Sequence, residues 1–327
     1  MPRWREQVNL GGTVIGIVYR YAQLRATPLG VVCSVRMAVA PGPTLRESYR
    51  YCRRIHRRHD PTYYWAARRL PAEVRPAVHS VYAFVRVIDN IVDGPRRPPG
   101  PAARLAALDR WEAMLGDALR GAGGHGQPVL VALADAGFRH QLPLGELRLY
   151  FDSMRKDAVP VRMRTWDELE RYMQGSAGSV GRILAALLGV PAERQNEFAS
   201  LALAFQLTNF VRDVCEDWEL DRVYLPAEDI QRFGASVEQI ERRELTPGFR
   251  RLVALQVERA RSLFRASAPV ADVVAPEVRR GMRLARSVYL GVLDRTERHD
   301  FDVLRQRSRL PPWELAGSVA AALRGGA

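Results

Sequence analysis

Two groups of oxygen-bearing side chains, separated by about 120 residues, have the spacing to do chemistry together. Asp89 and Asp93 are four apart, and Asn209, Asp213 and Asp217 follow at the same interval. A helix turns about 100° per residue, so each group predicts one face of an α-helix. Carboxylates stacked in this way repel one another unless a cation lies between them. Hard oxygen donors that leave coordination places for water and phosphate oxygens suit Mg²⁺. The chemistry expected is a metal-diphosphate clamp, with Asp89 and Asp93 on one jaw and Asn209, Asp213 and Asp217 on the other.

Spacing alone is a weak signal, because 36 of 327 residues are acidic and a solvated helix face would show the same interval. The setting adds to it. Val85, Val87, Ile88, Ile91 and Val92 surround the first pair, so this helix must be deeply packed. Tyr82, Arg86, Asp89 and Asp93 follow in steps that align a phenol, a guanidinium and two carboxylates. Arg86 could pair with Asp89 or use its planar fork on phosphate oxygens. Gln206, Asn209, Asp213, Glu216 and Asp217 fall within a narrow arc after the apolar run Leu201 to Phe205, which favours a polar cavity over solvent. Arg212, Arg222 and Tyr224 are nearby candidate phosphate donors.

The elements that must carry these residues read as helices. From Leu45 onward apolar spacing is helical nearly everywhere, and alternating strand patterns are absent. One helix is predicted to open at Pro71 and end near Gly94. Others are predicted over Ala103 to Leu119, Pro128 to Phe138, Leu144 to Met154, Trp166 to Leu188, Pro191 to Asp217, Pro247 to Ala266 and Pro276 to Leu304, with a short closing helix after Pro312. Connections are brief and rich in Pro or Gly, so a single all-α bundle of about ten helices is expected over 45–327. Residues 1–44 read as an N-terminal extension and a candidate for disorder, with Met37 an alternative start. Gly175, Gly178 and Gly181 would each weaken their helix by about 1 kcal/mol relative to alanine, so a neighbouring helix or a bulky ligand must approach there.

Composition narrows the function. The formal net charge is +13, yet Lys156 is the only lysine, and no basic helix with interleaved aromatics accompanies the charge. Nucleic-acid binding is not expected, and an anionic substrate or membrane surface fits better. Cys33, Cys52 and Cys215 are too few and too scattered for a disulfide framework or a zinc site, which fits a cytoplasmic protein. The apolar stretches before Met37 are too short to span a bilayer.

The stretch from Arg69 through Asp93 resembles the first signature of the squalene and phytoene synthase family, and Gln206 through Asp217, continuing to Arg222-Val-Tyr-Leu-Pro226, resembles the second. Tyr172 to Gly181 is similar to the glycine-rich helix between them, and Tyr289 to Asp294 to the C-terminal helix. The resemblance, running from about Tyr49 to Pro312, implies an all-α class I isoprenoid synthase (terpenoid synthase) bundle around a central cavity. Asp89, Asp93, Asn209, Asp213 and Asp217 would hold Mg²⁺. Arg86, Arg212 and Arg222 would grip the diphosphate. His59 and Thr62 match a segment that closes over it, and Tyr82 and Gln206 would line the reacting region. The implied reaction is ionisation of farnesyl or geranylgeranyl diphosphate followed by head-to-head condensation with a second prenyl diphosphate, the product leaving toward a membrane. Two departures, Asn90 in place of a second adjacent aspartate and Gln174 in place of an aromatic residue, leave open an alternative acceptor such as an indole.

Overall fold

A computed structural model describes residues 42–60, 63–64, 67–68 and 70–305. Thr62, Cys33, Met37 and the expected helix after Pro312 lie outside the described residues. The described chain is helical, with one minimal ladder. The helices are α1 (Leu45–His59), α2 (Arg75–Val92), α3 (Gly100–Leu119), α4 (Pro128–His140), α5 (Leu147–Asp157), α6 (Trp166–Met173), α7 (Ser179–Leu187), α8 (Gln195–Arg212), α9 (Val214–Glu219), α10 (Ala227–Arg232), α11 (Glu238–Glu241), α12 (Pro247–Ala266) and α13 (Pro276–Arg298).

Capping explains several of the boundaries. Thr44 begins α1 with a reciprocal capping box to Glu47, and Thr246 accepts from the Phe249 amide ahead of Pro247. The helix expected from Pro71 starts at Arg75, because Pro76 occupies its first turn while residues 71–74 form a separate turn. The helix expected to reach Leu304 ends at Arg298, since Asp300 and Phe301 take left-handed backbone angles and reverse the chain.

Two helices thread the interior. α2 is buried along most of its length and packs with α1, α4 and α5 around Phe84, Ile88 and Phe151. α8 is buried from Phe198 to Val211 and packs on α12 and α7. Neither helix could be dissolved out of the bundle without exposing a core on every side.

Two expected continuous helices are interrupted. Trp166 to Leu188 contains a π-helical segment at Gln174–Gly178 between α6 and α7. The glycines there meet neighbouring helices. A Cβ on Gly175 would collide with the Leu149 carbonyl oxygen and Ser153 Oγ of α5, and one on Gly181 would lie 3.0 Å from Ala202 Cβ of α8. The second interruption falls at Asp213, whose φ of −106° and ψ of 21° bend the chain between α8 and α9. The strand-free expectation needs one correction. Val161–Arg162 pairs in parallel with Arg222–Val223, tying the segment after α5 to the segment after α9.

Candidate active site

The C-terminal end of α2 and the α8–α9 bend meet at a small cavity. It is lined by Asp93, Asp157, Tyr172, Gln206, Asn209, Phe210, Asp213, Asp217, Arg222 and Tyr224, so Asp93 of the first acidic group meets all three residues of the second, while Asp89 lies outside the lining. Four carboxylates and one guanidinium share this lining. The open space is about 10 Å³, room for about one water.

The chain's own arginines fill the role of counter-ion. Arg222, 3% exposed, donates through Nη1 to Asp93 Oδ1 at 2.6 Å and through Nη2 to the carbonyl oxygens of Val92 and Asp157. Arg212 forms a two-pronged pair with its neighbour Asp213, with Nε 2.7 Å from Oδ1. Asp217 lacks such a partner at close range. Burial, reinforced by Asp213, pushes its carboxyl well above the usual aspartate range.

Asp89 sits one turn above Asp93 and is nearly fully buried, its Oδ1 accepting from the Tyr150 hydroxyl at 2.5 Å. Arg86, within α2, is an electrostatic neighbour of His59 at the end of α1. Burial, then Arg86, drives the His59 imidazole down to about 4. Tyr82, one turn before Arg86, is buried with its hydroxyl unpaired. Gln174 stands apart from the cavity lining, and its amide oxygen accepts from Arg182 Nη1 at 3.0 Å.

Several lining residues carry no mark in the sequence. Asp157, the last residue of α5, accepts from Tyr172 Oη at 2.7 Å and from Tyr224 Oη at 2.8 Å. Burial raises its carboxyl to about 6. Phe210 stacks on Tyr224 with centroids 3.9 Å apart, completing an aromatic wall with Tyr172. Asp157 follows Arg155 and Lys156 at an ordinary helix end, so nothing local singles it out. Tyr172 was visible only as the start of the glycine-rich stretch.

Among the described residues no three His, Cys, Asp or Glu side chains converge on one point to enclose an ion. Mg²⁺ takes one or two carboxylates and completes its shell with water and substrate phosphate. The donor set fits that ion. Gln206 Oε1 and Asn209 Oδ1 are buried acceptors without hydrogen-bond partners, beside the Asp217 carboxyl that burial and Asp213 push upward.

An all-α bundle with acidic groups on two central helices facing a shared cavity defines the class I isoprenoid synthase fold, and solved structures bear this out. The squalene synthase HpnC from Alicyclobacillus acidocaldarius matches with a TM-score of 0.72 and 31% identity, covering 79% of this chain and 95% of that one. A dehydrosqualene synthase matches in fold with a TM-score of 0.77 at 24% identity, covering 86% and 97%. The squalene/phytoene synthase family model matches residues 56–314. Phytoene synthases of Arthrospira platensis and Thermus thermophilus are 32% and 35% identical over 83% and 80% of this chain, and over 91% and 88% of their own lengths. The chain belongs to the squalene/phytoene synthase family, and it is a prenyltransferase.

Proposed function

We propose that this enzyme catalyses Mg²⁺-dependent head-to-head condensation of two farnesyl or geranylgeranyl diphosphates to a phytoene- or squalene-type product. The observation that carries the reading is the meeting of the two acidic walls at one buried cavity, with unpaired acceptors at Gln206 and Asn209. Mg²⁺ held by Asp89, Asp93, Asn209, Asp213 and Asp217 would neutralise the diphosphate and stabilise it as a leaving group. The cavity must open to admit that group, which requires Arg212 and Arg222 to exchange their carboxylate partners for phosphate oxygens. A guanidinium fork serves either partner with the same geometry. His59, Thr62, Arg86 and Tyr224 are assigned to the same diphosphate.

Heterolysis of the C1–O bond leaves an allylic cation and diphosphate; the double bond of the second chain supplies the electron pair for the new carbon–carbon bond, and the cation this leaves on that chain is discharged by loss of a proton to the departed diphosphate. Tyr82 offers the allylic cation a π face, and Gln206 borders the reacting region. Gln174, which motivated an aromatic acceptor such as an indole, already has its amide oxygen engaged by Arg182, so no observation favours that alternative.

Incubation with geranylgeranyl or farnesyl diphosphate and Mg²⁺ alone should give a forty- or thirty-carbon product and free diphosphate. No turnover until an indole is added would overturn the condensation reading. The enzyme is further proposed to work from the cytoplasm at the inner face of the membrane. Exposed Arg46, Arg50, Arg54 and Arg57 on α1 and the 87% exposed Phe138 on α4 support this placement. Flotation with anionic but not neutral vesicles is the expected outcome, and equal recovery with both would refute it.

A further inference from the structure

Away from the acidic cavity, four rings cluster beside α1 and α2. His56 and His79 are 2% and 5% exposed, and their Nδ1 atoms lie 2.8 Å apart with the ring planes at 77°. His56 lies flat against Tyr82, with 4.0 Å between centroids and 6° between planes. Tyr64 stacks on His79 from the other side, and its hydroxyl accepts from Arg53 Nε at 3.0 Å. Nothing assigned so far to the reaction uses this pair of imidazoles.

Two ring nitrogens at that separation must share one proton. If both carried hydrogen they would clash, and if neither did two lone pairs would face each other. Burial, followed by its neighbour His79, drives His56 down to about 3. Burial, then Arg53 and Arg75, drives His79 down to about 4. Both rings are therefore neutral near pH 7, one as the Nδ1–H tautomer and the other as the Nε2–H tautomer. His56 Nε2 is buried with no hydrogen-bond partner, so a proton placed there would be an orphaned donor. The proton belongs on His56 Nδ1, donated to His79.

Tyr82 depends on this arrangement. Its hydroxyl has no hydrogen-bond partner, and the charged groups nearest it are Asp60, Arg86 and Asp89. The flat contact with His56 covers one face of its ring and sets the plane of that ring. Neutrality matters as much as orientation. An imidazolium 4.0 Å behind the phenol would repel a carbocation in front of it and cancel the attraction of the π face.

We infer that the hydrogen-bonded His56–His79 pair is a positioning device for the allylic cation, fixing the Tyr82 ring while keeping positive charge away from its rear. The inference rests on the proposed role of Tyr82 in the reaction. His79→Phe retains a ring against Tyr64 but removes the acceptor for His56, whereas His79→Asn retains an acceptor. His79→Phe should lower kcat about 10-fold with KM unchanged, and His79→Asn should recover to within about 3-fold of wild type. Nitrogen-15 spectra of histidine-labelled protein at pH 7 should show one Nδ1–H and one Nε2–H ring in contact, both still neutral near pH 5. A charged ring at pH 7, or equal kcat losses in two folded His79 variants, would overturn the inference. If the spectra hold but Tyr82→Leu turns over at the wild-type rate, the tautomer pair stands and the assignment of Tyr82 is what fails.

Discussion

Replacing Asp157 with Asn measures the charge stored at the deep end of the cavity. The carboxyl is raised to about 6 from an ordinary value of 3.8, chiefly by burial, with Arg222 opposing and Asp93 adding to the effect. A rise of about two units, at about 1.4 kcal/mol each, corresponds to about 3 kcal/mol. The folded protein holds this proton more tightly than the unfolded chain does. The resulting penalty is therefore absent below about pH 3.8, grows between about 3.8 and about 6, and is complete above that range. Asparagine cannot ionise and escapes the penalty. It offers one acceptor oxygen where Tyr172 and Tyr224 both donate, which costs about 1 kcal/mol. Asp157→Asn should therefore be about 2 kcal/mol more stable than wild type at pH 8 and about 1 kcal/mol less stable near pH 4. Urea unfolding of the metal-free protein at both pH values reads the difference directly. A stability difference that does not change between them would refute this account of the buried carboxylate.

Asp213→Ala should remain folded yet release no diphosphate from any prenyl substrate, and unaltered turnover would contradict the clamp. Gly175→Ala places a methyl against the α5 backbone and should lower stability by about 1–3 kcal/mol, whereas Gly281→Ala, with nothing within 4 Å, should be tolerated; equal melting temperatures would dismiss the close approach. Binding of Mg²⁺ with pyrophosphate should be coupled to proton release and should strengthen as pH rises, because burial raises the Asp217 carboxyl and it must ionise to bind. Calorimetry in two buffers of different ionisation enthalpy would show a zero proton count if Asp217 were already ionised.

The parts legible in the sequence were those governed by local periodicity. Asp89, Asp93, Asn209, Asp213 and Asp217 could be grouped because their helices impose a fixed interval, and α12 could be delimited because Thr246 and Pro247 mark its start. What local pattern cannot carry is a contact between distant elements. Asp157 gains its importance from Tyr224, 67 residues away, and Arg222 its partner from Asp93, 129 away. The bend at Asp213 and the π segment at Gln174–Gly178 were equally hidden, since a strong helical pattern runs through both. The glycine spacing did announce that something would press against that helix, and α5 and α8 are what press.

The Arg222–Asp93 bridge has a consequence for the order in which the molecule assembles. It closes a loop of 129 residues, and the Arg222 contact to the Asp157 carbonyl closes one of 65. Doubling a loop adds only about 0.6 kcal/mol of closure entropy, so the bridge is affordable at equilibrium. Kinetics are a different matter, because contacts so distant in sequence form only after the helices between them have packed. Catalytic competence should therefore appear last in refolding, after helical signal and core burial are complete. A chain caught just short of that step would be nearly native in shape and inert.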